Sequence, residues 1–171
     1  MMNRQDALRH AAALVMIDVP GPVLDEPTRA FMSSLRPRAV CLFRKNLDGE
    51  AGTRALCAQL RGLLGEHPLI AIDQEGGAVS RATFVPVAPA AMALGAVGDA
   101  GLAHEVGAAV ARGVASLGIN WNFAPVLDVN NNPANPVIAE RSFSEDPDEV
   151  ARLARAWMAG AHSQGVACCA K

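Results

Sequence analysis

Apolar residues in this chain fall into short continuous runs separated by longer stretches in which they recur every three or four positions. The runs predict strands over residues 13–19, 39–43, 69–73, 119–123 and 166–170, and the periodic stretches predict helices over 26–35, 50–64, 102–117 and 147–163. The last helix has the clearest pattern, with Val150, Leu153, Ala154, Trp157, Met158 and Ala161 on one face. Asp146 is placed to cap it, Pro147 suits its first turn, Glu149 stands where it completes a capping box, and Gly165 ends it. Gly65 and Gly118 punctuate earlier helices in the same way, each just before an apolar run.

Strands joined by single helices of this length run parallel, because a right-handed crossover returns each strand in the same direction. They are almost wholly apolar, as expected when both faces of a sheet or the inside of a barrel are covered. An open doubly wound sheet and a (β/α)8 barrel both fit that pattern. Length bears on the choice: the 171 residues run out at Lys171, at the end of the fifth strand, whereas eight units take about 250 residues. The expected fold is therefore α/β, a parallel (β/α)8 TIM-type barrel of which residues 1–171 supply about the first five units, as the N-terminal portion of a single domain.

With 51% hydrophobic residues, 19% charged residues and a net charge of -2, the composition is globular and leaves no footprint for nucleic acid or an anionic membrane. No apolar stretch approaches the roughly 18 residues that span a bilayer. Arg4 and Arg9 precede an apolar run over 11–17, but that run is short, ends on Asp18 and lacks a small-x-small cleavage site, so a cytoplasmic location is expected. Cys41, Cys57, Cys168 and Cys169 lie in apolar or helical patterns and are expected as buried reduced thiols. Without a C-x-x-C, or a histidine at ligand spacing, no metal site is expected.

In parallel α/β folds the functional groups collect where strands end. Those positions hold Asp18, Arg44 with Lys45 and Asn46, Asp73, residues 122–128, and Lys171. Asp73 opens the run Asp73-Gln74-Glu75-Gly76-Gly77-Ala78-Val79-Ser80-Arg81. Its carboxylate can accept hydrogen bonds from vicinal hydroxyls, and the arginine fork of Arg81 complements it. Gly76 and Gly77 are expected at positive φ in a tight turn. Reading Asp73 and Glu75 as the two carboxylates of a retaining glycosidase, roughly 5 Å apart, demands that two residues of one short loop flank the scissile bond from opposite sides, and the geometry disfavours it.

Arg141 is framed by Pro133, Asn135 and Pro136 before it and by the helix start at Asp146-Pro147 after it, so its fork is preorganised. Trp121 reads as core and Asp128 as a loop-holding residue, not a catalytic one. His10, His67, His104 and His162 carry no recognisable constellation, and no G-x-S-x-G elbow, P-loop or dinucleotide fingerprint occurs.

The Asp73 to Arg81 run and the segment over 135–147 resemble glycoside hydrolase family 3, most of all its single-domain bacterial β-N-acetylhexosaminidases. Leu42-Phe43 with Lys45-Asn46, and Asn122-Phe123-Ala124-Pro125-Val126-x-Asp128, follow in family order. The resemblance implies a retaining exo-β-N-acetylhexosaminidase that releases terminal N-acetylglucosamine, from peptidoglycan fragments, through a covalent glycosyl-enzyme. It implies that Asp73, Arg81, Arg141 and Lys171 bind the sugar, Lys171 opening the family's Lys-His-Phe-Pro-Gly-His-Gly segment. The acid/base histidine and the aspartate nucleophile are expected C-terminal to Lys171, so no catalytic residue is expected within this chain. The implied partner is a small carbohydrate; no cofactor, metal, nucleic acid or membrane is implied, and oligomeric state is not readable. Ala78 stands where the family frequently has arginine, and Ala139 and Ser144 where it frequently has glycine. Two alternatives stay open: a β-glucosidase of the same family, and a non-catalytic carbohydrate-binding partial barrel.

Overall fold

A computed structural model describes residues 3–65 and 67–171. In chain order its elements are α1 (Arg4–Ala13), β1 (Met16–Ile17), α2 (Glu26–Leu35), β2 (Ala39–Leu42), α3 (Gly49–Leu64), β3 (Leu69–Ile72), β4 (Gln74–Gly76) and β5 (Val79–Ser80). There follow α4 (Ala91–Val97), α5 (Ala100–Ser116), β6 (Trp121–Asn122), α6 (Pro147–His162) and β7 (Ala167–Cys168), with 3-10 turns at Arg44–Asn46 and Ala139–Arg141. Five strands form one parallel sheet in the order β1-β2-β3-β6-β7, while β4 and β5 make a small antiparallel hairpin of their own. A doubly wound sheet reverses its strand order at a switch point. Here each strand is laid beside the one before it without reversal, the sequence of a barrel wall.

All five expected strands form, each trimmed to the residues that find a partner. The largest trim is at the start: Ala13 closes α1, whose first turn is capped by Asn3, and only Met16 and Ile17 pair with β2. Helix α2 has the expected bounds, set by the Asp25 side chain accepting from Thr28 N at one end and by Arg36 in the left-handed region, φ 55°, at the other. Helix α6 departs from expectation in one detail. Asp146 caps it by accepting from Asp148 N, but Glu149 binds Arg152 instead of closing a capping box, and the Ser144 hydroxyl takes the Asp146 N–H in its place. Helix α4 and the β4–β5 hairpin go unpredicted, since α4 has no side-chain cap and the hairpin strands are too short to show alternation.

Strand alternation sorts the two faces of the sheet. Val40, Leu42, Ile70 and Ile72 share a face and join Leu56 and Leu60 of α3 in the main core. The other face carries Ala39, Cys41 and Ala71, all small and buried. Helices α5 and α6 pack closely, with Gly107 and Gly160 each meeting the other helix's backbone. The four cysteines are free thiols; Cys41 and Cys57 are buried as expected, but Cys168 and Cys169 are only half-buried because β7 has a sheet neighbour on one side alone. Burial first, then the negative charges of Asp73 and Asp18, push the Cys41 thiol up to about 11, so it is not a nucleophile at neutral pH. Among the described residues no helix is long and apolar enough to cross a membrane.

Candidate functional site

Asp73 follows the last residue of β3, and the extended backbone carries on through β4, so alternation points the side chains of Asp73 and Glu75 to the same side and that of Gln74 to the other. Gln74 is buried and clamps Ala82 at both its backbone groups, accepting from Ala82 N at 3.0 Å and donating to Ala82 O at 3.1 Å. Asn122 does the same to Gln74, accepting from its N–H at 2.9 Å and donating to its carbonyl at 2.8 Å. The two amides fix the strand exit. With Gln74 locked inward, both carboxylates are presented together.

Three cations converge on them. Lys171 Nζ lies 2.7 Å from Asp73 Oδ1 and 2.8 Å from Glu75 Oε1. Arg141 grips Glu75 with two bonds, Nε to Oε2 at 2.8 Å and Nη2 to Oε1 at 3.0 Å, the forked geometry that a guanidinium favours. Arg81 Nη2 stands 3.7 Å from Asp73 Oδ2, and its buried Nε has no hydrogen-bond partner among the described residues. The Glu75 side chain is 7% exposed and that of Asp73 19%, so the inner carboxylate is fully engaged and the outer one faces the opening. Burial disfavours the Lys171 ammonium, but its hydrogen bonds to Asp73 and Glu75 and the charges of both outweigh that and hold its pKa above the ordinary lysine value. For Arg141 the hydrogen bond it donates to Glu75 dominates and raises its pKa in the same way. Lys171 is itself fixed through its backbone, donating to Pro125 O at 3.2 Å and accepting from Leu127 N at 2.5 Å.

The turn that joins Glu75 to Arg81 depends on glycine. Gly76 and Gly77 sit at φ 119° and 52°, and a Cβ would lie 2.3 Å from Pro89 O at the first and 2.6 Å from Glu140 Oε1 at the second. Glu140 accepts from Ala78 N at 2.8 Å, which ties this turn to the loop bearing Arg141. That loop is anchored on its far side by buried Phe143, whose carbonyl packs so tightly on α4 that a Cβ at Gly95 would be 1.7 Å from it. Buried Ser142 donates to Asp128 O at 2.6 Å, so Asp128 holds the loop through its carbonyl.

One residue in the loop is strained. Ala139 has φ 40°, a region that costs an L-residue about 1–2 kcal/mol and glycine almost nothing. Ala139→Gly is expected to raise stability by roughly 0.5–1 kcal/mol after the added flexibility of the unfolded chain is deducted, read as a higher denaturation midpoint at unchanged slope.

All four residues expected to bind a sugar, Asp73, Arg81, Arg141 and Lys171, meet in this one cluster, although the sequence separates Asp73 from Lys171 by 98 positions. Other rim groups are engaged elsewhere or in support: Lys45 pairs with Asp18, Arg44 donates to Ser80 O at 3.3 Å, and Asn46 is spent on the backbone, accepting from Phe43 N and donating to Val19 O and Gly21 O. Trp121 is half-buried, edge-on to Phe123 with ring centroids 4.9 Å apart. Glu75 and Glu140 went unrecognised as organising residues. The shared parity of Asp73 and Glu75 is the one sequence signal for the first, and Glu140 offers none. Because both Asp73 and Glu75 reach the same ammonium, they lie on one side of the opening, which is not the arrangement of two carboxylates flanking a bond. Among the described residues there is also no group of three or more His, Cys, Asp or Glu able to hold a metal.

An α/β wall with a charged cluster at the carboxyl ends of its strands is the layout of a barrel enzyme's binding face. The chain belongs to glycosyl hydrolase family 3, whose N terminal domain profile matches residues 10–171. It is 38% identical over 165 residues to a β-hexosaminidase of Chromobacterium violaceum, covering 92% of this chain and 46% of the relative. It is 35% identical over 160 residues to that of Methylococcus capsulatus, covering 91% and 47%. Among solved structures, a family 3 β-N-acetylglucosaminidase from Paenibacillus superposes with a TM-score of 0.91 at 40% identity over 96% of this chain and 32% of that one. NagZ from Neisseria gonorrhoeae, in complex with N-trifluoroacetyl-D-glucosamine, gives 0.86 at 32% identity over 92% and 49%. The chain thus spans about half the length of the hexosaminidases it matches.

Proposed function

We propose that residues 1–171 form the N-terminal portion of the catalytic barrel of a retaining exo-β-N-acetylhexosaminidase that releases terminal N-acetylglucosamine, with cytoplasmic peptidoglycan fragments as the natural substrate. The observation that carries this reading is the convergence of Asp73, Arg81, Arg141 and Lys171 on one opening at the strand ends. A pyranose is an array of vicinal hydroxyls around a neutral ring, and it asks for a carboxylate that accepts from them and cations that donate to them. Asp73 supplies the acceptor at the mouth. Arg81 has a buried Nε with no hydrogen-bond partner among the described residues, and Arg141 gives three of its five N–H bonds to Glu75 and to Val137 O, keeping two.

In this reading the chain binds and orients the glycone, and the groups that make and break the glycosidic bond are supplied beyond Lys171. The gene downstream of the Lys171 codon should continue into His-Phe-Pro-Gly-His-Gly and later provide an aspartate nucleophile. The full-length protein should hydrolyse an aryl N-acetyl-β-glucosaminide, while residues 1–171 alone should not. Turnover by the purified 171-residue polypeptide, persisting in a preparation free of host enzyme, would overturn the assignment of roles. Within the family a β-glucosidase is the competing reading; the Arg141-Ser142-Phe143 context favours the hexosaminidase, and a comparison of aryl glucoside with aryl N-acetylglucosaminide separates them. A stop codon directly after Lys171 would instead favour a non-catalytic sugar-binding module.

A further inference from the structure

Glu75 is the most buried charged group of the cluster, and none of its three contacts is to a neutral donor: two come from Arg141 and one from Lys171. A carboxylate in that position is not available to a ligand. Withdrawing these charges from water costs free energy that their attraction repays only when the geometry is well aligned, so the contacts fix orientation more than they stabilise the fold. The nearby Asp73 has the opposite character, being more open and shared between Lys171 and the more distant Arg81.

From this arrangement we infer that Glu75 is a positioning residue for the sugar contacts: by gripping Arg141 at two nitrogens and sharing the Lys171 ammonium with Asp73, it fixes the orientation of both cations beside the opening. The inference rests on the reading of the cluster as a sugar site. Without the Glu75 charge, Arg141 retains only Val137 O, and Lys171 only Asp73, as a hydrogen-bond partner of its side chain among the described residues. Both cations are then free to turn from the positions a sugar meets. A sugar must restore those positions as it binds, a cost borne equally by the ground state and the transition state.

That last point gives the test its form. Glu75→Gln in the full-length protein keeps the side-chain shape and one acceptor oxygen. Its KM for an aryl N-acetyl-β-glucosaminide should rise at least tenfold while kcat stays within about threefold, the signature of lost uniform binding. A residue that merely stabilises the fold gives the other split, since a smaller active fraction lowers apparent kcat and leaves KM alone. In the double variant Glu75→Gln/Arg141→Ala the rise in KM should be clearly less than the product of the two single effects, because the first change acts in part through the second residue. Should Glu75→Gln yield no folded protein, Glu75→Asp keeps the charge but is one methylene too short to hold both cations, and its KM should rise at least threefold above wild type with kcat little changed. An unchanged KM in the folded variants, or additive effects in the double variant, would overturn the inference while wild-type activity upholds the sugar site. A wild-type protein that neither turns over substrate nor binds N-acetylglucosamine would remove the sugar-site reading itself, and this inference with it.

Discussion

Asp73→Ala in the full-length protein is expected to lower kcat/KM for an aryl N-acetyl-β-glucosaminide by roughly 2 to 5 kcal/mol of transition-state binding, about thirtyfold to a few thousandfold. Removing this carboxylate does two things at once. It deletes the acceptor at the mouth of the site, and it leaves Arg81 and Lys171 in a half-buried pocket without their shared counter-charge. Arg141→Ala should cost a similar amount, because it takes away the donor and strands the buried Glu75 carboxylate. Arg81→Ala should act in the same direction. His104→Ala provides the control: this side chain is exposed on α5 and belongs to no hydrogen bond or ion pair of the site, so kcat/KM should stay within about twofold. Near wild-type kinetics in a folded Asp73→Ala protein would remove the proposed sugar site, whatever the family relationship implies.

The fold was legible wherever burial on two faces forced a continuous apolar run. Strand β3 and the start of the site could be placed from Leu69 to Asp73 because an apolar run ending on a carboxylate is informative without knowledge of the neighbours. The membership of the cluster was legible too, but its wiring was not. Alternation from Asp73 to Glu75 is local and visible, whereas the choice of Arg141 and Lys171 as partners for Glu75 is decided by loops 66 and 96 positions away, brought in by the sheet order. Weighing Glu75 only as a second catalytic carboxylate therefore missed its contacts. Ala139 shows the reverse case: the departure from glycine was visible in the sequence, and its meaning, a left-handed backbone at φ 40°, appeared only in three dimensions. Helix α4 left no trace because Ala90 offers no capping side chain and its seven residues are too few to show a helical period, yet it is the surface against which Phe143 fixes the Arg141 loop.

Gly160→Ala is expected to be among the most damaging single-methyl additions in the molecule. A Cβ there would lie 1.9 Å from the His104 carbonyl oxygen and 2.9 Å from Ala108 N, and the reciprocal position Gly107 would place one 2.1 Å from Trp157 O. These obstacles are helix backbone, so no rotamer change relieves them; α5 and α6 have to move apart. That separation opens the packing of Val110, Val114, Leu153 and Trp157, all buried, and the cost should reach or exceed the upper end of the ~1–3 kcal/mol typical of overpacked cores. Gly62→Ala supplies the opposite sign. It lies within α3, where a Cβ meets nothing within 4 Å, so it should stabilise by roughly 0.5–1 kcal/mol through helix propensity alone. Denaturant midpoints of the two variants should fall on opposite sides of wild type. A Gly160→Ala protein as stable as the parent would show that the two helices do not make the backbone contact on which the Pro147–His162 helix, and with it the end of the Arg141 loop, depends.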